Sequence, residues 1–477
     1  MKIIHGNLPY FKIFPFVLVA TFMAPSCKKF IEVPPPTSQI TNTTVFSDDG
    51  SATAAMLGIY SNLMNSSGFA SGGPNSVSVL AGLSADELAN FSNISSQVEF
   101  YSNSLTPANN TVYGFFWGNP YQFIYAANSV LEGLSAESQV TPALKKQLMG
   151  ESLFLRAFCH FYLANFFGNI PLVTTTSYQA NNVLTRSDTG IVYDQITSDL
   201  LQAQALLGSD YVDPGNNPTT ERTRPNTWVA SAMLARVYLF RQKWDSAEAE
   251  ASLVINNALL YNLLPSLNDV FLKNSAEAIW QLQPVNPNIN TNEGNIFILT
   301  SGPNNYNSVY MSPQLLASFE PGDSRFSTWI GVDSSTGVKY FYPFKYKVSS
   351  GSTLTEYSMV IRLAEMFLVR SEARVRQNDI SGAQADLNLI RGRAGLPVTT
   401  ASSQQDIIRA ILHERQVELF TEWGHRWLDL RRTGTIDTVM SMVTQQKGGI
   451  WNTHQQLYPI PGMEIQNNSN LGQNPGY

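Results

Sequence analysis

The 477-residue chain has a formal net charge of −6, a pI near 5.5, 14% charged residues and 11% aromatics. A weakly charged, acidic chain without Lys/Arg clusters excludes nucleic acid as a partner, because phosphate binding relies on such clusters. Its length suits one large domain or two intimately packed ones, and its wealth of Asn, Ser, Thr and Gln beside Tyr, Phe and Trp suits neutral, hydroxyl-rich ligands better than ionic ones.

The first element is a leader. Lys2 and Lys12 precede an apolar run, Ile13 to Met23, which is too short to span a bilayer and has the length of a signal-peptide core, although Pro15 interrupts it. Ala24-Pro25-Ser26 then lead to Cys27, the setting in which a bacterial lipoprotein peptidase cuts and leaves a diacylated N-terminal cysteine. Residues 1–26 are read as a lipoprotein signal peptide, Cys27 as the lipidation site and residues 27–46, with Pro34 to Pro36, as an extended tether. An ordinary secreted protein with Cys27 a free thiol is the alternative. Cys159, the only other cysteine, lies in an apolar helical stretch and reads as a small core residue.

Residues 47–477 read as a single domain. Asp48 to Ser51 offer N-cap chemistry for a helix through Met64, and a long polar excursion is expected from Asn65 to Asn110. Helices are expected along Trp117–Leu131, Leu144–Phe167 and Tyr193–Leu207, the second closed by Gly168 and Pro171. Pro225–Phe240 and Ser246–Asn256, joined by a short turn, form a hairpin whose Ala247, Ala249 and Ala251 permit close packing, and the pattern returns at Ile361–Gln377 and Ser381–Arg391. These helix-turn-helix units resemble tetratricopeptide repeats too irregular for a regular array. The fold class is therefore mostly α: imperfect tetratricopeptide-like pairs forming a scaffold over roughly 50–260 and 358–435, with long irregular loops and a few short strands. Residues 262–357 form an irregular ligand-side region, with strand-like runs at Glu277–Gln281 and Val338–Tyr342.

Enzyme signatures do not emerge. There is no Gly-Lys dipeptide for a P-loop, no nucleophile elbow, and His413-Glu414 fails as a zincin motif at Val417. The five histidines are dispersed and neither cysteine has a partner at metal-binding spacing, so no metal or cofactor is expected; a calcium ion propping a loop is left open. Glu414, Glu418 and Glu422 share a helical stripe, where a solvated or salt-bridged face is favoured over the paired carboxylates of glycoside hydrolysis. The segment Trp423 to Arg432 reads as an ionic lock between the last helix and neighbouring loops.

Motifs spread over nearly the whole chain carry a family resemblance. They include Cys27-Lys28-Lys29-Phe30, Gly58-Ile59-Tyr60, Gly150-Glu151-Ser152-Leu153-Phe154-Leu155-Arg156-Ala157 and Phe167-Gly168-Asn169-Ile170-Pro171. Further on come Ile361-Arg362-Leu363-Ala364-Glu365, Leu387-Asn388-Leu389-Ile390-Arg391, Pro459-Ile460-Pro461 and the closing Asn474-Pro475-Gly476-Tyr477. In order and spacing the chain resembles the SusD/RagB family of outer-membrane nutrient-binding lipoproteins.

The resemblance implies a helix-pair scaffold and no catalysis. It also implies a lipid anchor in the outer membrane with the protein facing outward, a SusC-like TonB-dependent transporter as partner, and an oligosaccharide ligand bound in loops by stacked aromatic rings and by hydrogen bonds. Ligand residues vary within the family, so candidates follow from texture: Phe91, Phe100, Tyr101 and Asn103 in the first long loop, and Tyr306, Tyr310 and Trp329 in the later irregular region. A glycoside hydrolase or glycan-modifying lipoprotein, and a scaffold that binds only proteins, are the alternatives.

Overall fold

A computed structural model describes residues 45–477 except 66–67 and 136–137. The leader, Cys27 and most of the tether lie outside the described residues. The Asp48 carboxylate accepts from the Ser51 backbone N–H at 2.9 Å and starts the helix Asp49–Asn65. The expected polar excursion after it is substantially ordered, holding the helices Val77–Ser84 and Ser95–Tyr101 and the strand Leu88–Asn90. Every residue of Val77–Ser84 is buried. A helix that is small or apolar all round has no polar face, so its period does not appear in the sequence.

The scaffold is a succession of helices in which each packs on the next: Asn119–Ser135, Pro142–Phe167, Thr189–Leu206, Thr227–Phe240, Trp244–Ile255, Leu363–Arg376, Ile380–Arg393 and Gln404–Glu418. The two hairpins expected from their alanines and turns are present. Ala247 and Ala251 are buried, and Asp379 caps the helix Ile380–Arg393 by accepting from the Gly382 N–H. Gly168, at φ +74°, ends the 26-residue helix Pro142–Phe167. Phe154, Phe158, Tyr162 and Phe166 of that helix stack along the main core against Trp280, Trp423 and Tyr458, and Cys159 is buried beside them.

The irregular region is inserted between the helices Trp244–Ile255 and Leu363–Arg376. Its strand Ala278–Leu282 pairs antiparallel with Ser358–Arg362, from Ala278↔Arg362 to Leu282↔Ser358, and so returns the chain to the scaffold. Further two-stranded antiparallel ladders join Leu88–Asn90 to Val309–Met311, Tyr211–Val212 to Pro218–Thr219, and Ile330–Asp333 to Tyr340–Pro343.

Under this region lies a buried ionic network. Glu414 and Glu418 are on the helix Gln404–Glu418 and Glu422 follows it, yet all three point inward. Arg325 reaches Glu414 at 2.6 Å and Glu418 at 2.9 Å, Arg362 reaches Glu418 at 2.6 Å and Glu422 at 2.8 Å, and Arg393 bridges Glu277 and Glu418. Burial raises the Glu418 carboxyl, but Arg393, Arg362 and Arg325 outweigh it and hold the group well below the usual carboxylate range. The stripe is thus a salt-bridged face without solvent. The segment Trp423 to Arg432 does form ionic links, but its helix His425–Arg432 is not the last one and, among the described residues, is tied to a loop only through Arg426 on Asp86; Arg415 on Asp429 and Arg432 on Glu372 join it to other helices.

A tyrosine-lined face as the candidate ligand site

The ladder between Leu88–Asn90 and Val309–Met311 organises the face, with Leu88↔Met311, Ala89↔Tyr310 and Asn90↔Val309 in register. Alternation along the strand sends Val309 and Met311 into the core and leaves Tyr310 partly exposed on the other side. The Phe91 N–H donates to the Ser308 carbonyl at 2.8 Å, which prolongs the pairing and leaves the Phe91 ring half exposed. The helix Ser95–Tyr101 lies alongside, with Gln97 and Tyr101 one turn apart on one side. Gln97 Nε2 donates to Ser308 Oγ at 2.9 Å. Tyr310 meets Tyr340 edge-on at 5.1 Å between ring centroids. The Tyr101 hydroxyl is raised by burial and by nearby Tyr310, and that of Tyr310 by burial and by Tyr340, so the three hydroxyls lie near one another.

Beside the cluster opens a cavity of about 200 Å³ whose walls include Asn75, Ile94, Gln97, Thr111, Asn305 and Tyr306. None of its lining residues is charged. Tyr306 is 55% exposed and its hydroxyl donates to Asn295 Oδ1, so the ring stands at the rim with its polar end fixed. Amide and hydroxyl groups around an aromatic rim can pair with sugar hydroxyls while the rings cover apolar sugar faces. Larger cavities of about 540 Å³, beside Lys146 and Asp210, and about 310 Å³, beside Tyr60 and Arg224, lie elsewhere. Neither offers an exposed ring: the first has no aromatic lining and Tyr60 of the second is buried, its hydroxyl donating to Glu151.

Of the residues singled out in the sequence, Phe91, Tyr101, Tyr306 and Tyr310 come together on or near this face, and three do not belong to it. Phe100 is buried against Phe116 and Tyr458, at 5.3 and 5.4 Å between ring centroids. Trp329 is buried in a separate apolar cluster; its indole N–H donates to the Leu267 carbonyl at 2.9 Å, and its ring lies 5.0 Å from Lys345 Nζ. Asn103 is buried too, bonding Ser84 and Thr444. With no surface, these side chains cannot contact a ligand. Sequence reasoning missed Tyr340 and Gln97. The run Tyr340-Phe341-Tyr342 was a usable signal for the first, and helical spacing before Tyr101 for the second. Among the described residues no group of three His, Cys, Asp or Glu side chains is placed to hold a metal ion, and no helix is long and apolar enough to cross a membrane.

Helix pairs around one core, carrying an inserted strand-and-loop face with tyrosines at its rim, define a scaffold built for binding. Two family models match the chain, one described as "Starch-binding associating with outer membrane" over residues 29–239 and one as "SusD family" over residues 324–477. The chain belongs to the SusD/RagB family. It is 25% identical to SusD-like protein P25 of Formosa agariphila, with 96% of each chain covered. It is 36% identical to the starch-binding protein SusD of Bacteroides thetaiotaomicron over 25% of this chain and 21% of that one. Among solved structures, a SusD superfamily protein from Bacteroides vulgatus superposes with a TM-score of 0.78 at 20% identity, covering 91% of this chain and all of that one. A laminarin-binding SusD-like protein superposes with a TM-score of 0.73 at 25% identity and the same coverage.

Proposed function

We propose that this protein is a surface lipoprotein, anchored to the outer membrane through Cys27, that captures neutral oligosaccharides and passes them to a SusC-like TonB-dependent transporter without chemical change. The observation that carries the reading is the uncharged cavity with Tyr306 at its rim, walled by Gln97 and Ser308 of the same helix and strand segments that carry Tyr101 and Tyr310. The family descriptions of starch binding and outer-membrane association support it, as does the laminarin-binding neighbour. The glutamate stripe that resembled an acid/base pair supports binding over hydrolysis, since Glu418 is committed to three guanidinium groups.

Two or three rings worth roughly 0.5–1.5 kcal/mol each beyond burial, with a few hydrogen bonds, give dissociation constants from about mM to µM, suited to a protein that hands its cargo on. Calorimetry with neutral glucan oligosaccharides, set against uronic acid and sulfated oligosaccharides, tests the ligand class. Neutral chains are expected to bind and Tyr306→Ala to weaken them up to about tenfold. Preferential binding of the charged chains would refute the reading. Cys27→Ala is expected to leave the membrane fraction as a folded, ligand-competent protein, and co-purification with the transporter tests the partner.

A further inference from the structure

We propose that Lys447 is a positioning residue for the tyrosine face: with Thr444 and Gly449 it clamps the chain that follows the helix Ser95–Tyr101 and so holds Tyr101 beside Tyr310. This rests on the reading of that face as the ligand site.

The clamp is built at the end of the helix Ile436–Gln446, which Lys447 caps by donating its backbone N–H to the Val443 carbonyl. The Lys447 ammonium donates to the carbonyls of Leu83 at 2.6 Å, of Ser84 at 3.3 Å and of Ala85. These carbonyls end the buried helix Val77–Ser84, where a cation satisfies acceptors that the helix leaves unpaired. The same ammonium lies 5.2 Å from the Tyr101 ring centroid.

Asn103 closes the other side. It sits at φ +54°, a left-handed conformation that asparagine tolerates, donates from Nδ2 to the Ser84 carbonyl at 2.9 Å and accepts from Thr444 Oγ1 at 2.8 Å. Gly449 presses on the same loop, since a Cβ there would stand 2.2 Å from the Ser102 carbonyl oxygen. The chain around Tyr101 is therefore gripped by ammonium, hydroxyl and bare backbone from one short segment, residues 444–449.

Charge makes the grip conditional. Asp86 is the carboxylate that acts on Lys447, but Arg426 already donates to both of its oxygens at 2.7 Å. Tyr101 contributes a ring face, with Tyr310 beyond it. Burial pushes Lys447 down to about 7, with Asp86 pulling the other way. Below that pH an ammonium offers three N–H donors to three carbonyls. Above it an amine has two, and its lone pair faces the third carbonyl. Tyr101 is then held less of the time, and apparent affinity falls with the competent fraction.

The test combines amide hydrogen exchange over residues 98–106, corrected for intrinsic pH dependence, with calorimetry of a neutral β-glucan oligosaccharide at pH 6 and pH 9. The wild type is expected to lose about fivefold in affinity between the two, the effect of one hydrogen bond, with faster exchange in this segment. Lys447→Met is expected to be weak and flat across that range, and Thr444→Val, a milder cut of the same clamp, to be weakened at both pH values. A wild type flat with pH, a Lys447→Met protein that keeps wild-type affinity or keeps the wild-type slope, or faster exchange without loss of affinity would overturn the positioning role. If instead neither the wild type binds nor Tyr310→Ala differs from it, the site reading itself fails and takes this role with it.

Discussion

Glu418→Gln removes the charge at the centre of the buried network while keeping its shape. In the folded protein three guanidinium groups converge on this one carboxylate: Arg325 at 2.9 Å, Arg362 at 2.6 Å and Arg393. Removing one partner of a buried ion pair costs about 3–5 kcal/mol, because the remaining charge stays desolvated. Each arginine here keeps another carboxylate, Asp323 and Glu414 for Arg325, Glu422 and Glu277 for Arg362, and Glu277 for Arg393, which places the loss at the lower end, about 3 kcal/mol. The Gln amide nitrogen adds to the loss by facing one of those guanidinium groups in place of an acceptor.

Urea denaturation followed by tryptophan fluorescence reads the effect, and Trp329, 5.7 Å from the Arg362 guanidinium carbon, is a local reporter. With a slope of about 3 kcal/mol per molar, the midpoint should fall by about 1 M. The folded Glu418 carboxyl is held below its ordinary value, so its contribution is complete above about pH 4.5 and is lost as pH falls through the folded value. The gap between wild type and variant should therefore be constant from about pH 5 to pH 8 and narrow in acid. A loss below about 1 kcal/mol, the range of exposed pairs, or a gap that widens in acid, would refute the account.

Glu293 behaves in the opposite sense. Burial carries it up to about 7 despite a hydrogen bond from Ser358, so its stabilising contribution is complete below the unfolded value and is lost as pH rises through about 7. Glu293→Gln should match the wild type near pH 5 and exceed it at pH 8 by up to about 3 kcal/mol, read by thermal melts at the two pH values; a less stable variant at pH 8 would contradict this. Gly424 sits at φ +69°, and a Cβ there would lie 2.8 Å from Ala81 Cβ and 3.0 Å from Val77 Cγ1. Gly424→Ala should cost about 2–4 kcal/mol through left-handed strain and overpacking of the helix Val77–Ser84, measured by urea midpoint.

Local chemistry decided which parts of the molecule could be read from sequence. The hairpins around Ala247, Ala251 and Asp379 announced themselves through small residues and turn residues that act within one helical turn. Val77–Ser84 did not, because a helix buried on every side has no periodicity to show. Glu414, Glu418 and Glu422 illustrate a second limit: the same 3.6-residue spacing describes a solvated stripe and a buried ladder, and partners distant in sequence, Arg325, Arg362 and Arg393 among them, decide between the two. Of the candidate residues, Phe91, Tyr101, Tyr306 and Tyr310 retain surface on or near one face, whereas Phe100, Asn103 and Trp329 are buried. Phe100 is buried against Tyr458, and Asn103 becomes a structural link by meeting Thr444. Such partners lie hundreds of residues away and leave no local mark.

That separation has a consequence for the order in which the molecule forms. Ser84 waits for Tyr458, 374 residues later, Asn103 for Thr444, 341 residues later, and Ser78 for Trp423, 345 residues later. Loops of this length close slowly, whereas the helix hairpins close on neighbours only a turn away. In a chain synthesised from its N-terminus, the hairpins can assemble early and the tyrosine face is completed last. A polypeptide cut before residue 436 would hold helix pairs but no finished tyrosine face, which is completed together with the final stretch of chain.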